Sequence, residues 1–565
     1  MKNNMKTYKM ILALAVMLLT TVFPTKAVGF MVDSIAYTII GENEVEVARR
    51  DVKYSGEVII PATVVNDGVT YQVKGIGSNA FYDCTDLTMV DLPEGITEIA
   101  TSAFYNCYQL PFIEFPNSLL KIGDFAFYNC YNFTYVYIPR YVNTIGGSSF
   151  AYCEGITNFV CSGMNANFTV VDGVLYTKDM TRLVCFPLAS PKTAYDIPAS
   201  VTVIDNMAFA HAYNLTEINM TDNVRWIGYS VFRGCTGLTS LVLSDGITHM
   251  GPSTFAFCSN LTYVHLPASL DTLSNATFYE VPALTEVTVP RNVKFIDDFA
   301  FAGSRAIKNI YFEDNSCLQA IGLRSFEDCA SLETFDMPNS VTEIDGEIFG
   351  YCTSLKSVHL SDNLTTMGGA TFYGCSSLLE CYIPSSVREI ANASFGRCTS
   401  LRSLKIGEKD ATPGGTLMVN SAVSPGSSLK RLELGANVDS LTYLSISDHG
   451  LKVVICWPTT PPRCNEYTSP FWPRPAQTGA TLYVPKVALE AYRTAKHWED
   501  FPAIVPIEDV GDVNNDGFIN ISDAIALVNH LSVDGPVNEP LADVNLDGEI
   551  NISDAIALIS KLLNE

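Results

Sequence analysis

A phenylalanine returns thirteen times at one place in a repeating unit, and nothing else in the sequence constrains the fold as strongly. It stands at Phe81, Phe104, Phe127, Phe150, Phe209, Phe232, Phe255, Phe278, Phe301, Phe326, Phe349, Phe372 and Phe395. Three residues after each comes Cys84, Cys107, Cys130, Cys153, Cys235, Cys258, Cys329, Cys352, Cys375 or Cys398, or, in three units, Ala212, Val281 or Ser304. The period is 23 residues, broken by a long insertion after Cys153 and two extra residues before Cys329. With this cysteine position as origin, the third residue after it is Leu, Ile or Phe, as in Leu87, Leu110, Phe133 and Ile156. The sixth and eighth are apolar, as in Val90 and Leu92 or Val136 and Ile138, while the fifth and seventh are mixed. Such alternation marks a short strand with one buried face. Proline commonly follows, as at Pro93, Pro116, Pro139, Pro290 and Pro384, and it ends a strand because it lacks the ladder N–H. One unit cannot bury its own apolar residues, so neighbours must stack, Phe over Phe, into a solenoid with a parallel-sheet face.

Composition narrows the function classes. The 565 residues are 47% hydrophobic and only 17% charged, which excludes a mostly disordered chain. Acidic residues outnumber basic ones 60 to 35, for a formal net charge of −25, and this excludes a phosphate-backbone binder, which needs a basic footprint. Lys2, Lys6 and Lys9 precede an apolar run from Met10 to Leu19, with small residues around Ala27. That is the pattern of a secretory signal peptide over residues 1–27. The run is too short to span a bilayer, which takes about 20 residues. The expectation is an exported protein with no transmembrane segment.

The repeat can be read more closely. Ile122-Gly123, Ala126-Phe127, Cys130, Phe133, Val136 and Ile138-Pro139 resemble the BspA-like leucine-rich repeats of secreted and surface proteins of anaerobic bacteria. The resemblance covers residues 76–407. It implies adhesion or binding of host or matrix proteins, with a ligand that varies, and a secreted, cell-surface-associated bacterial protein. Within it, the insertion 161–200 contains Asp172-Gly173 between alternating apolar residues, which reads as a tight hairpin decorating the solenoid. Bare terminal repeats would expose core and unpaired edges. Residues 28–75 accordingly read as an N-terminal β cap, and residues 408–507 as degenerate repeats and a C-terminal cap.

Sixteen cysteines in an exported chain admit a disulfide framework. Ten of them share one column, where stacked neighbours point the same way about 4.8 Å apart, longer than the Cβ separation of about 3.8 Å that a bridge prefers. Buried, unpaired thiols serving as small core residues are the favoured reading. Cys456 and Cys464 lie outside the column and are the best candidates for a bridge.

The C-terminal 58 residues carry the chemistry. Asp512, Asn514, Asp516, Asn520 and Asp523 place side-chain oxygens at positions 1, 3, 5, 9 and 12 of a loop with Gly517 at 6. A hard cation wants six to eight oxygens, glycine permits the sharp turn, and position 7, Phe518, offers its carbonyl. Thirty-one residues on, Asp543, Asn545, Asp547, Gly548, Glu549, Asn551 and Asp554 repeat the pattern. Each loop runs into an amphipathic helix, so two calcium ions are expected. With no entering helix and Asp at position 12, residues 508–565 depart from an ordinary EF-hand and closely resemble the type I dockerin. That resemblance implies a cohesin module of a scaffold protein as partner. The family's specificity positions fall on Ile521, Ser522, Ile552 and Ser553, and their identity in both halves implies docking in two orientations.

The ligand of the repeats is less determined. The outward fifth and seventh positions carry Phe112, Tyr135 and Tyr137, then Tyr263 and His265. Exposed aromatics on a sheet mark a contact surface for a protein or a glycan, although β propensity alone also places aromatics there. The expected fold is thus α+β: an elongated leucine-rich-repeat solenoid of thirteen units with β-rich caps, plus a small all-α calcium-binding dockerin. The leading function is non-catalytic binding. A dockerin-borne polysaccharide hydrolase and a structural surface spacer remain as alternatives. Hydrolysis would need a paired-carboxylate cleft, and repeats with caps leave no segment before Glu508 to build one.

Overall fold

Most full turns contribute two strand segments rather than the single one their alternation predicts, although the turn of Cys107 has only the rung Lys121–Ile122. A computed structural model describes residues 29–412, 417–423, 428–442, 446–447, 450–533 and 535–564. These fall into two compact units, Met1–Asp179 and Met180–Glu565. The expected signal peptide lies outside the described residues.

In the first unit, antiparallel strands Phe30–Val32, Ile35–Gly41 and Glu44–Ala48 precede Thr63–Asn66, itself antiparallel to Val69–Ile76. Val69–Ile76 then pairs in parallel with Glu98–Ile99, and the ladder continues through Lys121–Ile122 and Thr144–Ile145. These two-residue rungs carry the Ile of the repeat. The strands after the origin form separate parallel pairs, Gly56–Ile59 with Leu87–Asp91 and Tyr135–Ile138 with Asn158–Cys161. Phe81, Phe104, Phe127 and Phe150 stack in line, centroids 4.8, 5.2 and 5.5 Å apart, and all are buried. Gly123 sits where adjacent turns touch: an added Cβ would lie 2.6 Å from the Thr101 nitrogen, which is why the motif carries glycine after its Ile.

In the second unit the short-rung ladder runs through Arg182–Cys185, Val203–Ile204, Trp226–Ile227 and His249–Met250. It resumes from Thr272–Leu273 and ends at Arg463–Cys464. The other ladder runs in parallel through Glu380–Ile383, Ser403–Ile406, Arg431–Leu434, Val453–Cys456, Thr481–Val484 and Ala503–Pro506. Buried phenylalanines stack without a gap from Phe186 through Phe209 to Phe395.

One expectation needs correction, and one open alternative is settled. The segment 161–200 is only partly an excursion. Phe168–Val171 and Val174–Thr177 form the antiparallel hairpin across Asp172-Gly173, but Arg182–Cys185 and Ala194–Asp196 are rungs of the ladders and Phe186 heads the second phenylalanine stack, 5.2 Å from Phe209. Its cysteine, three residues on, is replaced by Ala189, so the cysteine-based period passed over it. Cys456 and Cys464 are free thiols. They belong to different ladders, and Cys456 Sγ accepts a hydrogen bond from the Tyr492 hydroxyl at 3.1 Å.

The bend between the ladders has a regular backbone that the side-chain pattern did not foretell. In each of the thirteen units the residue five before the origin has positive φ, as at Asn79, Ser102, Phe125, Ala276 and Glu347, and so does the residue just before it, as at Asp83, Asn106 and Glu280. Alternate N–H groups therefore point to the next turn: Asn79 N to Thr101 O, Phe81 N to Ala103 O and Asp83 N to Tyr105 O, at 3.1, 2.7 and 2.8 Å. The N–H groups between them close local turns, such as Tyr82 N to Asn79 O at 3.1 Å.

Candidate calcium loops and docking surfaces

The two acidic loops are held by matching hydrogen bonds. Asp512 accepts the N–H groups of Asp516 and Gly517, both at 2.9 Å; Asp543 accepts those of Asp547 and Gly548 at 3.0 and 2.9 Å. Asp523 reaches back to the N–H groups of Asn514 and Asn520 at 3.1 and 2.8 Å. Asp554 does the same to Asn545 and Asn551 at 3.1 and 2.9 Å. Gly517 and Gly548 have φ of 88° and 87°, a region glycine enters without strain. Each loop leads into a helix, Ile521–Val533 and Ile552–Asn564. The helices share a core of Val513, Ala524, Leu527, Ala542, Ala555 and Leu558.

These loops suit a divalent cation. Asp512, Asp523, Asp543 and Asp554 are at most 6% exposed, and among the described residues none pairs with Lys, Arg or His. Burial, reinforced by the charge of Asp554, pushes the Asp543 carboxyl up to about 6. Buried carboxylates without a counter-charge are costly, and a cation supplies that charge. Among the described residues no three His, Cys, Asp or Glu side chains form a metal-holding group. Asn514, Asn520, Asn545 and Asn551 and the main-chain carbonyls of Phe518 and Glu549 add further oxygens to the two loops.

The residues expected to dock lie open. Ile521 and Ile552 are each 65% exposed, and Ile525, Ile556, Ile559 and Leu563 extend an apolar surface along the helices. Ser522 and Ser553 follow the two isoleucines at the helix starts.

The repeat-face aromatics divide between the units. Phe112, Tyr135 and Tyr137 are 47%, 45% and 38% exposed in the first unit, Tyr135 and Tyr137 on Tyr135–Ile138 and Phe112 one period before Tyr135. Tyr263 and His265 fall in the second unit on Tyr263–His265, with His265 3.5 Å from Asp245. A different column escaped the sequence reading: Tyr82, Tyr105 and Tyr128, two residues before each origin, stack at 4.9 and 4.6 Å. Its 23-residue spacing was visible in the sequence. These rings turn their faces to one another, so the column serves the fold, whereas no ring contact covers Phe112, Tyr135 or Tyr137 among the described residues.

Fold and site together define a parallel-β repeat solenoid bearing two EF-hand-like loops, each leading into a helix. The chain belongs to the BspA-type leucine-rich-repeat family, whose repeat model matches in six copies across residues 69–172, 184–308, 271–402 and 319–448. A dockerin type I domain matches residues 510–563. No curated protein matches the chain. Among solved structures, a leucine-rich repeat protein from Bacteroides ovatus is 22% identical over 67% of this chain and 99% of its own, with a TM-score of 0.40. One from Eubacterium ventriosum is 20% identical over 61% and 93%, with a TM-score of 0.44. A leucine rich cell surface protein from Faecalibacterium prausnitzii is 21% identical over 58% and 94%, with a TM-score of 0.35. Type I dockerins bind calcium and imply a cohesin partner, and leucine-rich repeats imply protein binding. Proteins with these two modules are typically extracellular or surface-associated. No helix among the described residues is long and apolar enough to cross a membrane.

Proposed function

We propose that this is a secreted, non-catalytic binding protein whose repeats hold a protein or glycan ligand and whose C-terminal module docks, with two calcium ions bound, to a cohesin of a scaffold assembly. In this reading residues 1–27 are the signal peptide, 28–75 the N-terminal cap, and 508–565 the docking module. The carrying observation is the pair of matching loops, with four buried carboxylates that lack a cationic partner among the described residues. Asp512, Asn514, Asp516, Phe518, Asn520 and Asp523 would hold one ion, and Asp543, Asn545, Asp547, Glu549, Asn551 and Asp554 the other. The ion supplies positive charge at the loop centre and thereby sets the start of each helix, presenting Ile521-Ser522 and Ile552-Ser553. The repeat ladders, continuing in the second unit to Pro506, support binding over hydrolysis.

The test is capture of the full chain on an immobilised type I cohesin. Binding is expected with calcium and is expected to disappear with EDTA. Replacing either Ile-Ser pair by Asp-Asp should leave docking through the other, and replacing both should abolish it. Undiminished capture of the double replacement would refute the docking assignment.

A further inference from the structure

The two calcium loops have the same residue at ten of their twelve positions and differ at the fourth and seventh, Asn515 against Leu546 and Phe518 against Glu549. Both fourth positions are left-handed, with φ of 58° and 57°, a conformation that suits asparagine and penalises leucine. Asn515 and Phe518 are exposed in the first loop. In the second loop, both differing residues touch the closing turns of the solenoid. Leu546 is buried in one apolar cluster with Val453, Ile455, Tyr483 and Val510, the first three from the last strands of the ladder. Glu549 pairs with Lys430 at 2.5 Å. Beside them the Tyr483 hydroxyl donates to the carbonyl of Pro540 at 2.9 Å, and Gly548 lies so close that an added Cβ would be 3.1 Å from Lys452 Cβ. A leucine in a strained backbone position is accounted for by what it buries against, and every departure from loop symmetry falls on that contact.

We infer that the closing turns of the repeat array are a seat for the second loop, so that two loops alike in ligands are unequal in the intact chain. The second is pre-organised by the solenoid, holds its calcium more tightly and stays ordered at calcium levels where the first does not. The seat leaves Ile552 as exposed as Ile521, so it does not obstruct docking. This rests on the reading that both loops take calcium, and the experiment separates the two.

The full chain, stripped with EDTA, would be titrated with calcium by calorimetry, and amide hydrogen exchange followed with calcium and with EDTA. Two binding events roughly tenfold apart are expected, the size of an ordinary coupling between sites, with residues 543–554 exchanging more slowly than 512–523 under both conditions. The double variant Leu546→Asn, Glu549→Phe should bring the two events together and equalise exchange. Lys430→Ala with Tyr483→Phe, outside both loops, should narrow the gap without altering a ligand. Two equal events with equal exchange in the natural chain, or a gap that survives the loop exchange, would overturn the inference while leaving calcium binding intact. No calcium uptake at either loop would overturn the calcium reading and this one with it.

Discussion

The thiol of Cys130 donates to the main-chain oxygen of Phe104, one turn back, at 3.1 Å. The same bond recurs up the column, from Cys107 to Phe81, Cys153 to Phe127, Cys258 to Phe232 and Cys375 to Phe349. Where serine replaces cysteine, Ser304 Oγ makes it to Phe278 at 2.7 Å. The column thus favours a small side chain with a donor hydrogen, and only Ala212 and Val281 among the thirteen units fill it without one. Burial keeps that hydrogen in place by raising the thiol pKa, to about 12 at Cys258 and Cys398.

Cys258→Ser should therefore change stability little, and Cys258→Ala should cost about 1 kcal/mol, the usual net value of one hydrogen bond. Phe232 O also accepts from Cys235 N at 3.1 Å, which keeps the loss from being larger. Denaturant midpoints of the two variants decide the matter; equal midpoints would remove the bond from the account. In the native protein a thiol reagent should label exposed Cys317 and leave the column unmodified until the chain is unfolded.

Ala276 has φ of 54° in the bend. Alanine there bears the left-handed strain, so Ala276→Gly should stabilise by up to about 1 kcal/mol, against the usual sign of that substitution. A lowered thermal midpoint for the glycine variant would show that the bend does not strain its residues.

Burial, and then the charge of Asp298, push the Asp297 carboxyl up to about 6. Folding holds a proton that the unfolded chain releases near pH 4, so this group lowers stability as pH rises from about 4 to about 6 and keeps it lowered above that. Asp297→Asn should leave stability at pH 4 nearly unchanged and raise it at pH 8 by about 1–2 kcal/mol. Matched urea melts at the two pH values would expose the opposite result, a uniform change at both.

Changing Phe112, Tyr135 and Tyr137 together to serine should abolish capture of the repeat ligand with little effect on stability, since the three are partly solvated. Protein and glycan arrays probed with the natural and triple-variant chains provide the measurement. Equal array patterns with an equal melting temperature would remove these residues from the binding surface.

Much of this was legible in advance because the repeat imposes its own redundancy. Thirteen copies of one phenylalanine signal a stacked core, and two copies of one loop signal a shared local structure running into a helix. What escaped had a different origin. The short rungs, such as Glu98–Ile99, span too few residues to show alternation. Phe186 was passed over because Ala189 broke the cysteine period used to count turns. The left-handed bend residues include Phe257, Glu280, Arg324 and Ala393, none of which advertises positive φ. They adopt it because each turn is templated by its neighbours. The seat beneath Leu546 was carried by a difference between copies, and a search for sameness passes over differences.

The one-way hydrogen bonding of the bend gives each stack an electrical polarity. N–H groups point toward the following turn and carbonyls toward the preceding one, as Phe209 N to Val231 O and Phe278 N to Ala300 O illustrate at 3.1 and 2.7 Å. Their peptide dipoles add along the stack as they do along a helix. One terminus of such a strip offers acceptors and the other donors, whereas in the neighbouring ladder N–H groups also donate to the preceding turn, as Gly123 N does to Ile99 O at 2.7 Å.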